Sequence, residues 1–147
     1  EKLPIQKQFF SGGVNSIRAW EAFDIGPGST SLETDNNYAT GDLKIEFNIE
    51  YRFTFINSLK SAVFLDAGNI WTIKADERVG STFKFHSFIE ELAVGAGLGF
   101  RYDFDFFVIR LDLARPLRDP SKPKGERWVE NTLNGKFRYN LAIGYPF

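Results

Sequence analysis

From Leu43 to Phe55 the chain alternates apolar and polar residues over thirteen positions without a break. Leu43, Ile45, Phe47, Ile49, Tyr51, Phe53 and Phe55 share one parity, and Lys44, Glu46, Asn48, Glu50, Arg52 and Thr54 share the other. A period of two over that length means a single β-strand with one apolar and one polar, mostly charged face. At about 3.3 Å per residue the strand is roughly 43 Å long, against about five or six residues for an ordinary soluble strand. Tilted by about 40°, it rises roughly 33 Å, enough to cross a bilayer. The expected fold is therefore all-β, an antiparallel up-and-down transmembrane barrel.

Four further segments repeat the pattern. Leu59, Val63, Leu65 and Ala67 oppose Lys60, Phe64, Asp66 and Gly68, and Leu92 to Phe104 sets alternate apolar residues against Gly95, Gly97, Gly99, Arg101 and Asp103. Phe107 to Leu113 and Phe137 to Phe147 alternate in the same way. The expected strands are 43–55, 59–71, 91–104, 106–115 and 136–147, within a barrel region 41–147, preceded by a long loop over residues 1–40. Tight connections near 56–58 and 103–105 alternate with long ones at 72–89 and 116–135, the asymmetry of outer-membrane barrels, whose short turns are periplasmic. Tyr51, Phe53, Phe55, Tyr102, Phe104, Phe106, Phe107, Tyr145 and Phe147 gather at the short-turn end, as an interfacial girdle requires.

Composition removes several other classes. The net charge is −1 with no basic stripe, which argues against a nucleic-acid partner. The absence of Cys and Met excludes disulfides and thiolate metal sites. No run of 18 apolar residues exists, so no transmembrane helix is expected, and a chain starting at Glu1 reads as processed or as a fragment. The mean hydropathy of −0.25 looks soluble, but alternation hides the apolar face of a barrel strand. A soluble sandwich is the main structural competitor, because water-facing and lipid-facing alternation look alike in sequence.

Five strands do not close, since the smallest membrane barrels need about eight, and an open edge in lipid costs several kcal/mol per unpaired backbone group. The chain is thus expected to be the C-terminal part of a larger barrel, or to be completed by strands from elsewhere. Its charged face carries Lys44, Arg52, Lys60, Arg101, Arg110, Lys136 and Arg138 beside Glu46, Glu50, Asp66, Asp103 and Asp112. Interleaved signs favour a structural network in a wet lumen over a one-sign ion filter. The Gly95–Gly97–Gly99 run lacks a following helix, so it reads as room for a loop inside the barrel and not as a phosphate cradle. His86 is the only histidine, without a nucleophile or ligand set around it. No enzyme activity and no cofactor or metal are expected of these residues.

Phe9 to Trp20, followed by Ile25-Gly26-Pro27-Gly28, resembles the sixth extracellular loop of the BamA/TamA outer-membrane insertase and two-partner-secretion superfamily. The family motif Val-Arg-Gly-Phe/Tyr corresponds to Ile17-Arg18-Ala19-Trp20, and Phe64-Leu65-Asp66-Ala67-Gly68 resembles its Phe-x-Asp-x-Gly strand motif. Arg110 to Leu117 is similar to the penultimate strand, and the details look closest to a TamA-like lipoprotein (TamL) form. Ala19 in place of Gly departs from the pattern, as does Pro146 beside the terminal Phe147.

The resemblance implies the last five strands of a 16-stranded barrel in the bacterial outer membrane, with residues 1–40 folded into the lumen. It implies that Arg18 pairs with the wall residue Asp66, flanked by Phe64 and Gly68. The position of Asp66 on the charged face independently points it inward. It also implies a lateral gate at the final strand, with Tyr139, Gly144, Tyr145 and Phe147 on its fixed side. Gly144 and Pro146 weaken pairing there, and the opposing view is a closed seam. The implied partners are the bilayer, nascent outer-membrane proteins, and periplasmic domains and strands outside this chain. The leading function is protein assembly or insertion. A two-partner-secretion pore, a barrel carrying an N-terminal enzyme such as a patatin-like lipase, and an ordinary porin are the alternatives.

Overall fold

The structure is a computed structural model that describes residues 7–31, 39–75, 77–129 and 137–144. Five antiparallel strands, β1 (Leu43–Ile56), β2 (Leu59–Trp71), β3 (Ala93–Asp103), β4 (Val108–Arg118) and β5 (Arg138–Gly144), form one meander in chain order. Asn57 and Ser58 alone join β1 to β2, and residues 104–107 turn β3 into β4. A single 3-10 turn at Phe88–Glu91 closes the long β2–β3 connection. No helix among the described residues is long and apolar enough to cross a membrane, which says nothing about strands.

The strand ends differ from the sequence expectation for local reasons. Glu91 belongs to the 3-10 turn, where its carboxylate accepts a hydrogen bond from Trp71 Nε1 at 2.7 Å, so β3 starts two residues later. Phe106 and Phe107 lie in the β3–β4 turn, so β4 starts at Val108. At its far end β4 runs past Pro116 to Arg118, although a proline reads as a strand stop. Gly95 pairs with Pro116 and Val94 with Arg118, leaving Leu117 as an extra residue. Such a bulge is where a missing N–H is tolerated. Residues 136 and 145–147, including Tyr145, Pro146 and Phe147, lie outside the described residues.

The two faces of the sheet are used in the reverse of the soluble manner. Ile49, Tyr51, Tyr139, Leu141 and Ile143 are all about 70% exposed on the apolar face. Val63, Leu65, Leu98 and Leu111 extend that bare surface across the central strands. A contiguous bare apolar face of this kind marks a surface that meets a membrane or another protein. Among the described residues no second sheet covers it, as a sandwich would require.

The core lies instead on the charged face, where residues 7–31 pack across the sheet. Ile17, Ala19, Trp20 and Ile25 of this segment form one buried cluster with Phe64, Ala93 and Ala114 of the strands. The segment is tied into shape by bridges between Phe9 and Gly41 and between Ser11 and Ile25, and by Gly13 N donating to Trp20 O at 2.8 Å. Gly12 makes the tight entry to this loop with φ +96°. A Cβ there would lie 2.0 Å from Glu21 O.

Candidate functional site: the loop clamp

Period two places Glu46, Asn48 and Glu50 of β1 and Phe64, Asp66 and Gly68 of β2 on the charged face. The turn at Asn57–Ser58 then sets their register. Asn48 stands opposite Asp66 and Glu50 opposite Phe64, while Phe64 faces Gly97 and Asp66 faces Gly95 on β3. On the other side Gly99 faces Asp112, which in turn faces Asn140 on β5. The result is two neighbouring rows of polar groups, one through Asn48 and Asp66 and one through Asp112 and Asn140, four residues apart along β3.

Arg18 sits between these rows. Its Nε donates to Asp66 Oδ2 at 2.8 Å and one terminal nitrogen to Asp66 Oδ1 at 2.9 Å, a two-pronged contact. The other terminal nitrogen reaches Glu50 Oε2 at 2.7 Å. The guanidinium carbon lies 3.4 Å from the centroid of the Phe64 ring, which is itself buried. The main chain of Arg18 is held as well: its N–H donates to Asp66 Oδ2 at 3.1 Å, and Asn140 Nδ2 donates to its carbonyl at 3.0 Å. Burial works against the charge of Arg18, but the hydrogen bonds it donates to Asp66 and Glu50 outweigh it and raise the pKa above the ordinary arginine value. The loop cation is therefore permanent.

The carboxylates are shared. Asp66 is fully buried and also accepts from Asn48 Nδ2 at 2.9 Å, and the same amide donates to Ser16 O. Glu50 Oε1 takes Arg52 at 2.6 Å and Arg101 at 2.7 Å. Arg110 pairs with the buried Asp112 at 3.0 Å and reaches Val14 O at 3.2 Å. Glu46 accepts from Ser11 and Ser16, and Arg138 meets Glu21 and Asp24. Every strand thus contributes a side-chain contact to the loop or to a group that holds it.

Small residues let the layers approach. A Cβ on Gly95 would lie 2.5 Å from the Ala19 Cβ, so that glycine does make room for the loop. Gly97 and Gly99 do not: a Cβ on Gly97 would strike Leu113 O and the Phe64 ring, and one on Gly99 would meet the Asp112 carboxylate. The glycine run therefore serves wall side chains as much as the loop. Gly68 likewise yields to the Ile17 side chain and to β1 backbone, not to loop backbone. Ala19 is not among the residues with positive φ, so its backbone needs no glycine here.

Ile17, Arg18, Ala19, Trp20, Phe64, Asp66 and Gly68 thus come together, all buried. Tyr139 and Gly144 lie apart on β5, exposed along the edge of the sheet and paired only with Leu113 and Val108. Tyr145 and Phe147 fall outside the described residues. Glu50, Asn48 and Asn140 are partners of Arg18 and Asp66 that the motifs did not single out. Their inward parity was readable, but their height depends on register. Among the described residues no three His, Cys, Asp or Glu are grouped to hold a metal ion. The site is chemically a clamp: it fixes a segment across a wall by buried, interlocking charge.

One antiparallel all-β sheet with a bare apolar face and a loop clamped across its polar face is consistent with the barrel region of an outer-membrane protein. The Omp85 superfamily domain model matches residues 1–147, the full length given, and the chain belongs to that superfamily. The Omp85 superfamily comprises outer-membrane proteins involved in protein insertion and secretion.

Proposed function

We propose that these residues are the lumen-plugging loop and last five strands of a 16-stranded barrel that assembles or inserts other outer-membrane proteins, of the TamA-like lipoprotein form. The single observation that carries this reading is the clamp joining Arg18 to Asp66 and Glu50 on a sheet whose apolar face is bare. The clamp holds the loop against the last strands, so the wall beside the seam stays stiff. β1 and β5 each have one strand neighbour among the described residues. In the full barrel the β5 edge meets the first strand. An incoming client strand adds there by edge pairing, with Tyr139 to Phe147 as the fixed side of the gate.

The test is a disulfide placed across that seam in the full-length protein. Assembly of client barrels should stop when it is oxidised and resume on reduction. Undiminished assembly with the seam locked removes the gate. An unchanged outer-membrane proteome after depletion removes the assembly role and leaves the secretion pore, or a barrel that carries an N-terminal enzyme.

A further inference from the structure

At the end of the sheet opposite the short turns, the bulge at Leu117 carries Arg118 onto the same face as Val94, the apolar face. Trp128 stands opposite Arg118 in a β-bridge, 60% exposed, with its ring 5.4 Å from the guanidinium. Arg118 donates to the carbonyls of Ile89, at 2.8 Å, and Glu90, and Arg127 donates to the same Glu90 carbonyl at 2.8 Å. Two guanidiniums therefore meet at one neutral oxygen. Among the described residues neither has a carboxylate in ion-pair contact. The nearby Glu90 carboxylate is taken by Lys124 at 3.2 Å, and that hydrogen bond holds it below the usual carboxylate range.

Three cations against one carboxylate leave an excess positive charge, fixed in place by main-chain hydrogen bonds. It is flanked by an exposed indole and by the exposed Ile89. An apolar surface with an aromatic at its rim is what meets the boundary between acyl chains and headgroups. A guanidinium suits phosphate oxygens because its forked donors match them, and Arg118 keeps a second hydrogen on each terminal nitrogen beyond those given to Ile89 O and Glu90 O. We propose that Arg118 and Lys124, with Trp128 and Ile89, form a headgroup site for a phosphorylated lipid of the outer leaflet, with Arg127, buried behind them and donating from Nε to Lys122 O at 3.1 Å, adding its fixed charge. This rests on the barrel reading, which sets the apolar face against lipid with the long loops outermost.

The test uses the full-length protein in micelles doped with a monophosphorylated diglucosamine lipid or with its dephosphorylated form, read by native mass spectrometry for retained lipid. The phosphorylated lipid should be retained about tenfold more than the other. Arg118→Gln/Arg127→Gln should abolish that preference, and Lys124→Gln, on a side chain that holds no main-chain group, should weaken it about threefold. Lys74→Gln should leave it unchanged. Equal retention of both lipids, or a preference that survives in the Arg118/Arg127 double variant and in Lys124→Gln, overturns the site. Heat-dependent mobility on gels is followed in parallel. A protein that shifts as a folded barrel but shows no lipid preference refutes only this site, whereas one that never enters membranes refutes the barrel reading.

Discussion

Replacing Arg18 with alanine removes the one cation that joins the loop to two strands. Three side-chain hydrogen bonds to carboxylates disappear, at 2.7, 2.8 and 2.9 Å, together with the stacking on Phe64. Glu50 keeps Arg52 and Arg101, so it remains compensated. Asp66 keeps Asn48 and the main-chain N–H of residue 18, but it is fully buried and loses its only ion-pair partner among the described residues. Leaving a buried charge without its counterion costs about 3–5 kcal/mol, and the retained hydrogen bonds to Asp66 place the expectation at the lower end, about 3 kcal/mol. Arg18→Lys should recover only part of this, since an ammonium satisfies neither the two-pronged contact nor the ring stacking. Asp66→Asn should cost less than Arg18→Ala because the buried Arg18 keeps its ion pair with Glu50. The assay is protease protection of the loop in the full-length protein in membranes, titrated with urea. In a double-mutant cycle, Arg18 and Asp66 should couple by about 2 kcal/mol. Strictly additive effects, or unchanged loop protection in Arg18→Ala, would refute the clamp as the element that holds the loop.

Gly97→Ala places a methyl against Leu113 O and the Phe64 ring, and should lower the urea midpoint by about 1–3 kcal/mol equivalent, while Gly125→Ala, with open space around it, should stay within about 0.5 kcal/mol. Ile49→Arg puts a charge in the middle of the bare face of β1. If that face meets lipid, the change costs about 2–4 kcal/mol and reduces the heat-modifiable folded fraction, whereas a water-facing site would tolerate it. Asn140→Ala removes the hydrogen bond from β5 to the Arg18 carbonyl. It should loosen the loop by about 1 kcal/mol in the same protection assay, and no change would show that β5 does not share in holding it.

Much of this architecture was legible residue by residue. Alternation marked the body of every strand, because side chains on a pleated ribbon point to opposite faces whatever the rest of the chain does. The same rule turned Asp66 and Glu50 inward and left Ile49 and Tyr51 on the bare face. The motifs around Arg18 and Phe64–Gly68 marked a loop and a wall that belong together. Register was not legible: Asn48 meets Asp66 because the Asn57–Ser58 turn sets the offset of β1 and β2, whereas Gly97 meets Phe64 through the pairing of β2 with β3 across the long 72–92 connection. Sliding a strand by two residues keeps each side chain on its face but changes every cross-strand partner. That is why Glu50 and Asn140 emerge as partners only in three dimensions, and why Gly97 reads in sequence as space for the loop. The run of β4 through Pro116 is of the same kind, since only the facing strand reveals that Leu117 bulges out and that no hydrogen bond was owed there. Local chemistry chose each residue's side of the sheet. Which groups meet across it was decided by pairing between distant segments, a property no single stretch of chain contains.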